Sequence, residues 1–208
     1  MNLQEEYRND YLISAQTKKV WDIELRLFSK LLEVCQKHNL RVWADSGTLL
    51  GAVRHQGFIP WDDDIDVAMP REDYEQLKRI APTEFQEPFF FQCAYTDKYV
   101  RGHAQLRYNG TTAILPCEIG VPFNQSIFID IFVLDVLPKD KQEQWSIMCK
   151  TEVLRKLMTW AVIPIDLHHK KRAIAQLFCK AYFLFHSLQK TYAKFERMFY
   201  RCQSTPSQ

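Results

Sequence analysis

Between residues 12 and 39, apolar side chains recur at Ile13, Val20, Ile23, Leu27, Leu31, Val34 and Cys35. That stripe predicts a long amphipathic helix, with Asn39 as its stop. Leu40-Arg41-Val42-Trp43-Ala44 reads as a strand, Gly47 permits a tight turn, and Leu49, Leu50 and Val53 return to helical spacing. Ile65, Val67 and Met69 then alternate with polar neighbours, as a short strand does. Pro70-Arg71-Glu72-Asp73 opens a further helix through Tyr74, Leu77 and Ile80, ending near Pro82. Phe89 to Cys93 and His103 to Tyr108 read as strands, and Asn109-Gly110 predicts a hairpin into Thr111-Thr112-Ala113-Ile114. Ile127 to Leu134 is a buried-type strand interrupted by one acid, Asp130, with Asp135 as a turn at its end. From residue 140 the pattern is helical. The order predicts an α/β fold, a small mixed, twisted sheet flanked by helices with a helical C-terminal part.

The candidate chemistry lies between residues 43 and 67. Asp62, Asp64 and Asp66 alternate, so Asp64 and Asp66 are predicted side by side on one strand face. Two carboxylates that close repel unless a cation neutralises them, and magnesium (or manganese) suits one or two carboxylates completed by water and phosphate oxygens. A merely solvated acidic turn is the plain alternative, although it has no need of the apolar alternation. An EF-hand loop fails, since it requires glycine where Val67 stands and glutamate where Asp73 stands. Upstream, Ser46-Gly47-Thr48 opens a helix whose free N–H groups and dipole suit a phosphate. Ser46 or Thr48 either caps that helix or touches a phosphate oxygen. Arg54 lies near such a phosphate or complements the helix C-terminus. A charge at Asp130 in so apolar a run needs a partner, either the same cation or an arginine or lysine. Arg107 reads as an outward-facing strand arginine, and His168-His169 as surface residues.

At 208 residues and a net charge of +2, the chain is large enough for a substantial core and does not have the balance of a nucleic-acid binder. The six cysteines form no C-x-x-C pair and no zinc spacing. With no signal peptide at the N-terminus, reduced thiols and a cytoplasmic protein are expected. Beyond residue 140, basic residues far outnumber acidic ones. The apolar run from Ala173 to Leu188 is too short to span a bilayer. It reads either as a basic amphipathic helix on an anionic membrane surface or, the favoured alternative, as a packing helix with a solvated basic face. Two parts are expected, a core over residues 1–138 and a helical part over 139–208.

Gly47-Thr48-Leu49-Leu50-Gly51-Ala52-Val53-Arg54-His55, followed by Gly57-Phe58-Ile59-Pro60-Trp61-Asp62-Asp63-Asp64-Ile65-Asp66, resembles the signature of the LicD family. That family is similar to fukutin and fukutin-related protein and belongs to the nucleotidyltransferase superfamily. The resemblance implies a nucleotidyltransferase-like sheet and transfer of a phosphocholine-like group from a CDP-alcohol donor to a glycan acceptor such as lipopolysaccharide or teichoic acid. It implies Asp64, Asp66 and Asp130 as metal ligands, Asp62 as a further ligand or base, and Ser46, Gly47, Thr48 and Arg54 at the donor phosphates. Relatives continue into a segment with a tyrosine-glycine-aspartate-tyrosine stretch and paired prolines that is not found before Gln208, so a short or truncated member is expected. A metal-dependent phosphohydrolase and a non-catalytic nucleotide-binding protein are the rival readings.

Overall fold

A computed structural model describes residues 2–97 and 100–203. They form two compact units. The first comprises Met1–Gln92, His103–Ile114 and Asn124–Leu134, and the second Cys93–Gly102, Leu115–Phe123 and Asp135–Gln208.

In the first unit, a short antiparallel hairpin of β1 (Glu6–Arg8) and β2 (Tyr11–Ile13) leads into α1 (Ala15–Lys37). Ser14 caps α1 by accepting a hydrogen bond from the Thr17 N–H at 3.0 Å. Of the predicted stripe, Leu27, Leu31, Val34 and Cys35 are buried in α1, Val20 and Ile23 are half-buried and Ile13 lies in β2; Trp21 joins the buried face, and α1 packs on the sheet. The strand expected over residues 40–44 shortens to β3 (Trp43–Ala44). It is followed by α2 (Ser46–His55), β4 (Asp66–Pro70), α3 (Arg71–Glu84), β5 (Phe89–Gln92), β6 (Ala104–Tyr108) and β7 (Ile127–Leu134). The sheet order is β3-β4-β7-β6-β5, with β4 and β7 parallel and the other pairs antiparallel. The fold is therefore the mixed α/β sheet flanked by helices that the sequence predicts.

Along β7, Ile127, Ile129 and Ile131 are buried, whereas Phe128, Asp130 and Phe132 occupy the opposite face and are only half-buried. The period of two thus takes the lone acid out of the isoleucine core. The hairpin expected at Asn109-Gly110 does not form, since residues 111–114 are not a strand. Gly110 does turn, at φ +82°, but β6 takes β5 and β7 as its neighbours. Thr111 closes the turn instead: its Oγ1 donates to the Tyr108 carbonyl at 2.6 Å and accepts from the Ile127 N–H at 2.9 Å.

The second unit holds α4 (Lys141–Val162), α5 (Lys170–Phe185) and α6 (Leu188–Gln203). Ala94, Val100, Met158, Tyr192 and Phe195 form its core, joined by Leu154, Val162, Phe183, Leu188 and Phe199. The residues 93–102 and 115–123 that it takes in precede the cut expected at 138. Among the described residues, no helix is long and apolar enough to cross a membrane. Cys35, Cys93, Cys149 and Cys179 are free thiols, the first two buried.

Candidate active site

Three chain segments meet at one edge of α2. The parallel ladder sets Asp66 of β4 directly opposite Asp130 of β7, so the two side chains share a face on neighbouring strands. The ladder extends one residue further back, where the Asp130 N–H donates to the Ile65 carbonyl at 2.9 Å. Asp64, expected on the same strand as Asp66, lies instead in the irregular segment 62–65 just before β4. It still joins the cluster, because Asp62, Asp66 and Asp130 lie near enough to raise its pKa.

The start of α2 is tied to these carboxylates by backbone and side chain. Thr48 Oγ1 accepts from the Asp66 N–H at 2.8 Å, and the Asp45 N–H donates to the Asp66 carbonyl at 3.0 Å. Thr48 therefore spends one lone pair on positioning β4. Ser46 sits in the left-handed region at φ +47°, unusual for a residue with a side chain and the sort of local strain that collects at functional turns. At Gly47 a Cβ would stand 2.6 Å from Asp62 Oδ2, so only glycine lets that carboxylate approach the helix terminus. Asp45 occupies the N-cap position without making a side-chain cap. Arg54 is exposed in the last turn of α2, about two turns along the helix from Gly47, and is not among the residues brought together.

The electrostatics follow from this crowding. Burial pushes the Asp64 carboxyl up to about 7, helped by Asp62, Asp66 and Asp130. Burial also pushes Asp66 up to about 6, with Asp130, Asp45 and Asp62 adding repulsion. Uncompensated carboxylates behave in this way, and an all-oxygen donor set of this kind fits a hard divalent cation. Among the described residues, no three carboxylate, imidazole or thiol side chains converge tightly enough to enclose a metal ion by themselves. Magnesium does not require that, since it is commonly held by one or two carboxylates with waters and substrate phosphates.

Four residues that sequence reasoning left aside support the cluster. His103 Nε2 lies 3.2 Å from Asp130 Oδ1, and Gln105 Nε2 donates to the same oxygen at 2.7 Å. Arg107 is fully buried rather than outward-facing. Its guanidinium donates to Gln105 Oε1, to Gln92 Oε1 at 2.6 Å and to the Ser126 carbonyl at 2.6 Å, and it lies over the Phe128 ring at 4.7 Å. An arginine, a glutamine and the aspartate thus form one chain that fixes the Asp130 carboxylate. The sequence signal was the polar triad Gln92, Gln105 and Arg107 inside apolar strands, which acquires meaning only once the strand register is known. Arg107→Met should cost about 3–5 kcal/mol, because its three acceptors are left buried without their donor. A denaturant titration measures this; a midpoint within error of wild type would make the arginine dispensable.

Glu24, on the buried face of α1, is the fourth. One of its carboxyl oxygens is buried without a hydrogen-bond partner, and burial together with Asp63, Asp64 and Asp62 pushes its pKa up to about 9. The native state keeps this proton while the unfolded chain loses it near the ordinary value of 4.5, so stability falls as pH rises between those limits. Glu24→Gln keeps the shape and removes the titration. It should melt above wild type at pH 8, with the gap closing toward pH 5. A gap that widens on acidification would reverse the assignment.

A cavity of about 600 Å³ adjoins the cluster. Gly47, Thr48, Asp62 and Asp64 line one side, and Trp21, Leu25, Phe28 and Phe58 form an apolar wall on which the Trp21 and Phe58 rings stack at 4.5 Å. Lys18, buried and bonded to Glu6 at 2.6 Å, and Arg8 lie in the same lining.

A mixed sheet that presents carboxylates from two parallel strands beside a glycine turn has the build of a nucleotidyltransferase domain. The chain belongs to the LicD/FKTN/FKRP family, whose nucleotidyltransferase-domain profile matches residues 39–150. Among curated proteins it is similar to the lipopolysaccharide cholinephosphotransferase LicD of Haemophilus influenzae, 29% identical over 170 residues that make up 78% of this chain and 61% of that protein. An uncharacterised protein of Rickettsia prowazekii is 40% identical over 103 residues, 50% of this chain and 35% of its own length. The ribitol 5-phosphate transferase FKRP of Mus musculus is 37% identical over 51 residues, 24% of this chain and 10% of its own. The chain therefore spans less than two thirds of the length of these relatives.

Proposed function

We propose that the protein transfers a phospho-alcohol group from a CDP-linked donor to a hydroxyl of a glycan, with magnesium as cofactor. The observation that carries the reading is the register of β4 against β7, which sets Asp66 and Asp130 side by side at the N-terminus of α2. Names of the relatives support it: one is a cholinephosphotransferase acting on lipopolysaccharide and another a ribitol 5-phosphate transferase.

In this reading Asp64, Asp66 and Asp130 would hold the cation, which when bound would supply positive charge against that developing on the donor phosphates. Backbone N–H groups of the first turn of α2 orient the phosphates, and Gly47 leaves room for the Asp62 carboxylate beside that turn. Asp62, beside that turn, takes the proton of the acceptor hydroxyl as its oxygen attacks the phosphorus carrying the alcohol. The bond from that phosphorus to the bridging oxygen breaks, and CMP leaves. The neighbouring cavity, with its aromatic wall, accommodates part of the donor.

The test is incubation with CDP-choline, CDP-ribitol and related CDP-alcohols plus magnesium, with and without a lipopolysaccharide oligosaccharide, read as CMP release. Release that depends on the acceptor is expected. Release without any acceptor would identify a phosphohydrolase, and donor binding without release would identify a non-catalytic nucleotide-binding protein.

A further inference from the structure

α5 presents its apolar side to solvent. Ile174, Leu177, Phe178, Leu184 and Phe185 are all exposed, and at 100° per residue they fall within a single arc of the helix. The favoured sequence expectation, a packing helix with a solvated basic face, holds in that α5 packs on α4 and exposes Lys170, Lys171 and Arg172, but the apolar arc is exposed as well. The stripe cannot roll inward, because polar groups on the other side hold the helix in place. Gln176 is fully buried; its Oε1 accepts from the Asp166 N–H at 2.8 Å and its Nε2 donates to the Pro164 carbonyl at 3.0 Å. Lys180 Nζ donates to the Ala161 carbonyl at 2.8 Å, and Phe183 joins the core of the unit.

Charge identifies what covers such a face. Of the chain's 27 Lys and Arg and 25 Asp and Glu, the second unit carries 15 and 8, so it is basic while the first unit is acidic. Between Leu167 and Phe195 there is no Asp or Glu at all. His168, His169, Lys170 and Lys171 are exposed at the head of the stripe, and Lys190 lies beyond its end. Asp166, paired with His169 and Arg172, is the acid at the head of the stripe, and an exposed apolar arc flanked by Lys170, Lys171 and Lys190 has the make-up of a helix that lies in the plane of a lipid surface.

We propose that the exposed face of α5 docks flat on an anionic lipid bilayer, Ile174, Leu177, Phe178, Leu184 and Phe185 entering the headgroup boundary and Lys170 and Lys171 meeting lipid phosphates. The inference stands apart from the transferase reading, since it uses none of the residues of that site.

The test is co-sedimentation of the full chain with phosphatidylcholine vesicles, with and without phosphatidylglycerol as the anionic component. Binding to the anionic vesicles is expected, with a marked fall at high salt and on the neutral vesicles. Phe178 and Phe185 are 73% and 86% exposed, so Phe178→Ser/Phe185→Ser should keep the helical content of wild type. Affinity in that variant should drop roughly tenfold for each ring removed. Lys170→Gln/Lys171→Gln, an independent handle, should weaken binding several-fold and flatten its salt dependence. No binding to anionic vesicles at low salt, or binding indifferent to both variants, would overturn the proposal. So would self-association in vesicle-free solution that disappears with the phenylalanines, which would assign the stripe to a contact between copies of the chain.

Discussion

Asp66→Asn raises the melting temperature of the metal-free protein near pH 8 while removing at least on the order of a hundredfold of activity. Both outcomes come from the same repulsion. The Asp66 carboxyl is pushed from its ordinary 3.8 up to about 6 by burial and by Asp130, Asp45 and Asp62. Above that value the native state holds a charge that the unfolded chain holds more easily, a penalty of about 1–3 kcal/mol that asparagine does not incur. The gain should shrink as pH falls through 6 and vanish below about 4, where the carboxyl is protonated in both states. Magnesium should raise the wild-type melting curve, since it binds the native state, and leave the variant's curve nearly unmoved. Four melting curves, two proteins with and without magnesium and a nucleotide donor, decide the matter. A wild type indifferent to magnesium would sink the metal reading, and an Asn variant that melts lower without metal would make Asp66 a structural residue.

Gly51→Ala is expected to be the most disruptive of the glycine substitutions. Its Cβ would stand 2.5 Å from the Gly57 carbonyl oxygen and 3.2 Å from the Ile59 nitrogen, both backbone atoms. Neither can swing aside, so α2 and the segment leading to Asp62 must separate. A loss of about 1–3 kcal/mol follows from overpacking of this kind, and the turn at the start of α2 is displaced with it. At Gly47 the clash is instead with the end of the Asp62 side chain, 2.6 Å away, which can rotate. Gly47→Ala should therefore melt close to wild type and lose activity. Denaturation midpoints measured beside CMP release separate the two; equal destabilisation at both positions would contradict the geometry.

Much of this was legible in the chain. The stripe up to Cys35 predicted α1, because it reflects burial on one helix face, and the alternation around Val67 and Met69 predicted β4, although Ala68 between them is buried too. The candidate cluster was legible too, since Asp62, Asp64 and Asp66 sit close in sequence and Asp130 stood out in an apolar run. What could not be read depends on pairing between distant segments. The Asn109-Gly110 turn signal was real, yet β6 was already committed to β5 and β7, and tertiary pairing outweighed the local hairpin preference. Arg107 looked outward because a strand arginine usually is; only the register brings Gln92, Gln105 and Phe128 around it. Along α5 the hydrophobic period was visible, but a period does not say which side faces the core, and the side that packs carries buried Gln176 rather than the apolar arc.

The parallel pairing of β4 with β7 also has a temporal meaning. Between them in the chain lie α3, β5 and β6, and β6 pairs antiparallel with both β5 and β7. Contacts of long sequence separation form slowly, since the intervening loop must close before they reward it. During synthesis, which proceeds from the N-terminus, a nascent chain that has not yet delivered β7 holds Asp66 without Asp130. The ribosome must release the whole first unit before the carboxylates can face one another. The pairing of Asp66 with Asp130 therefore completes the acidic cluster late, after Asp45, Asp62 and Asp64 have already emerged.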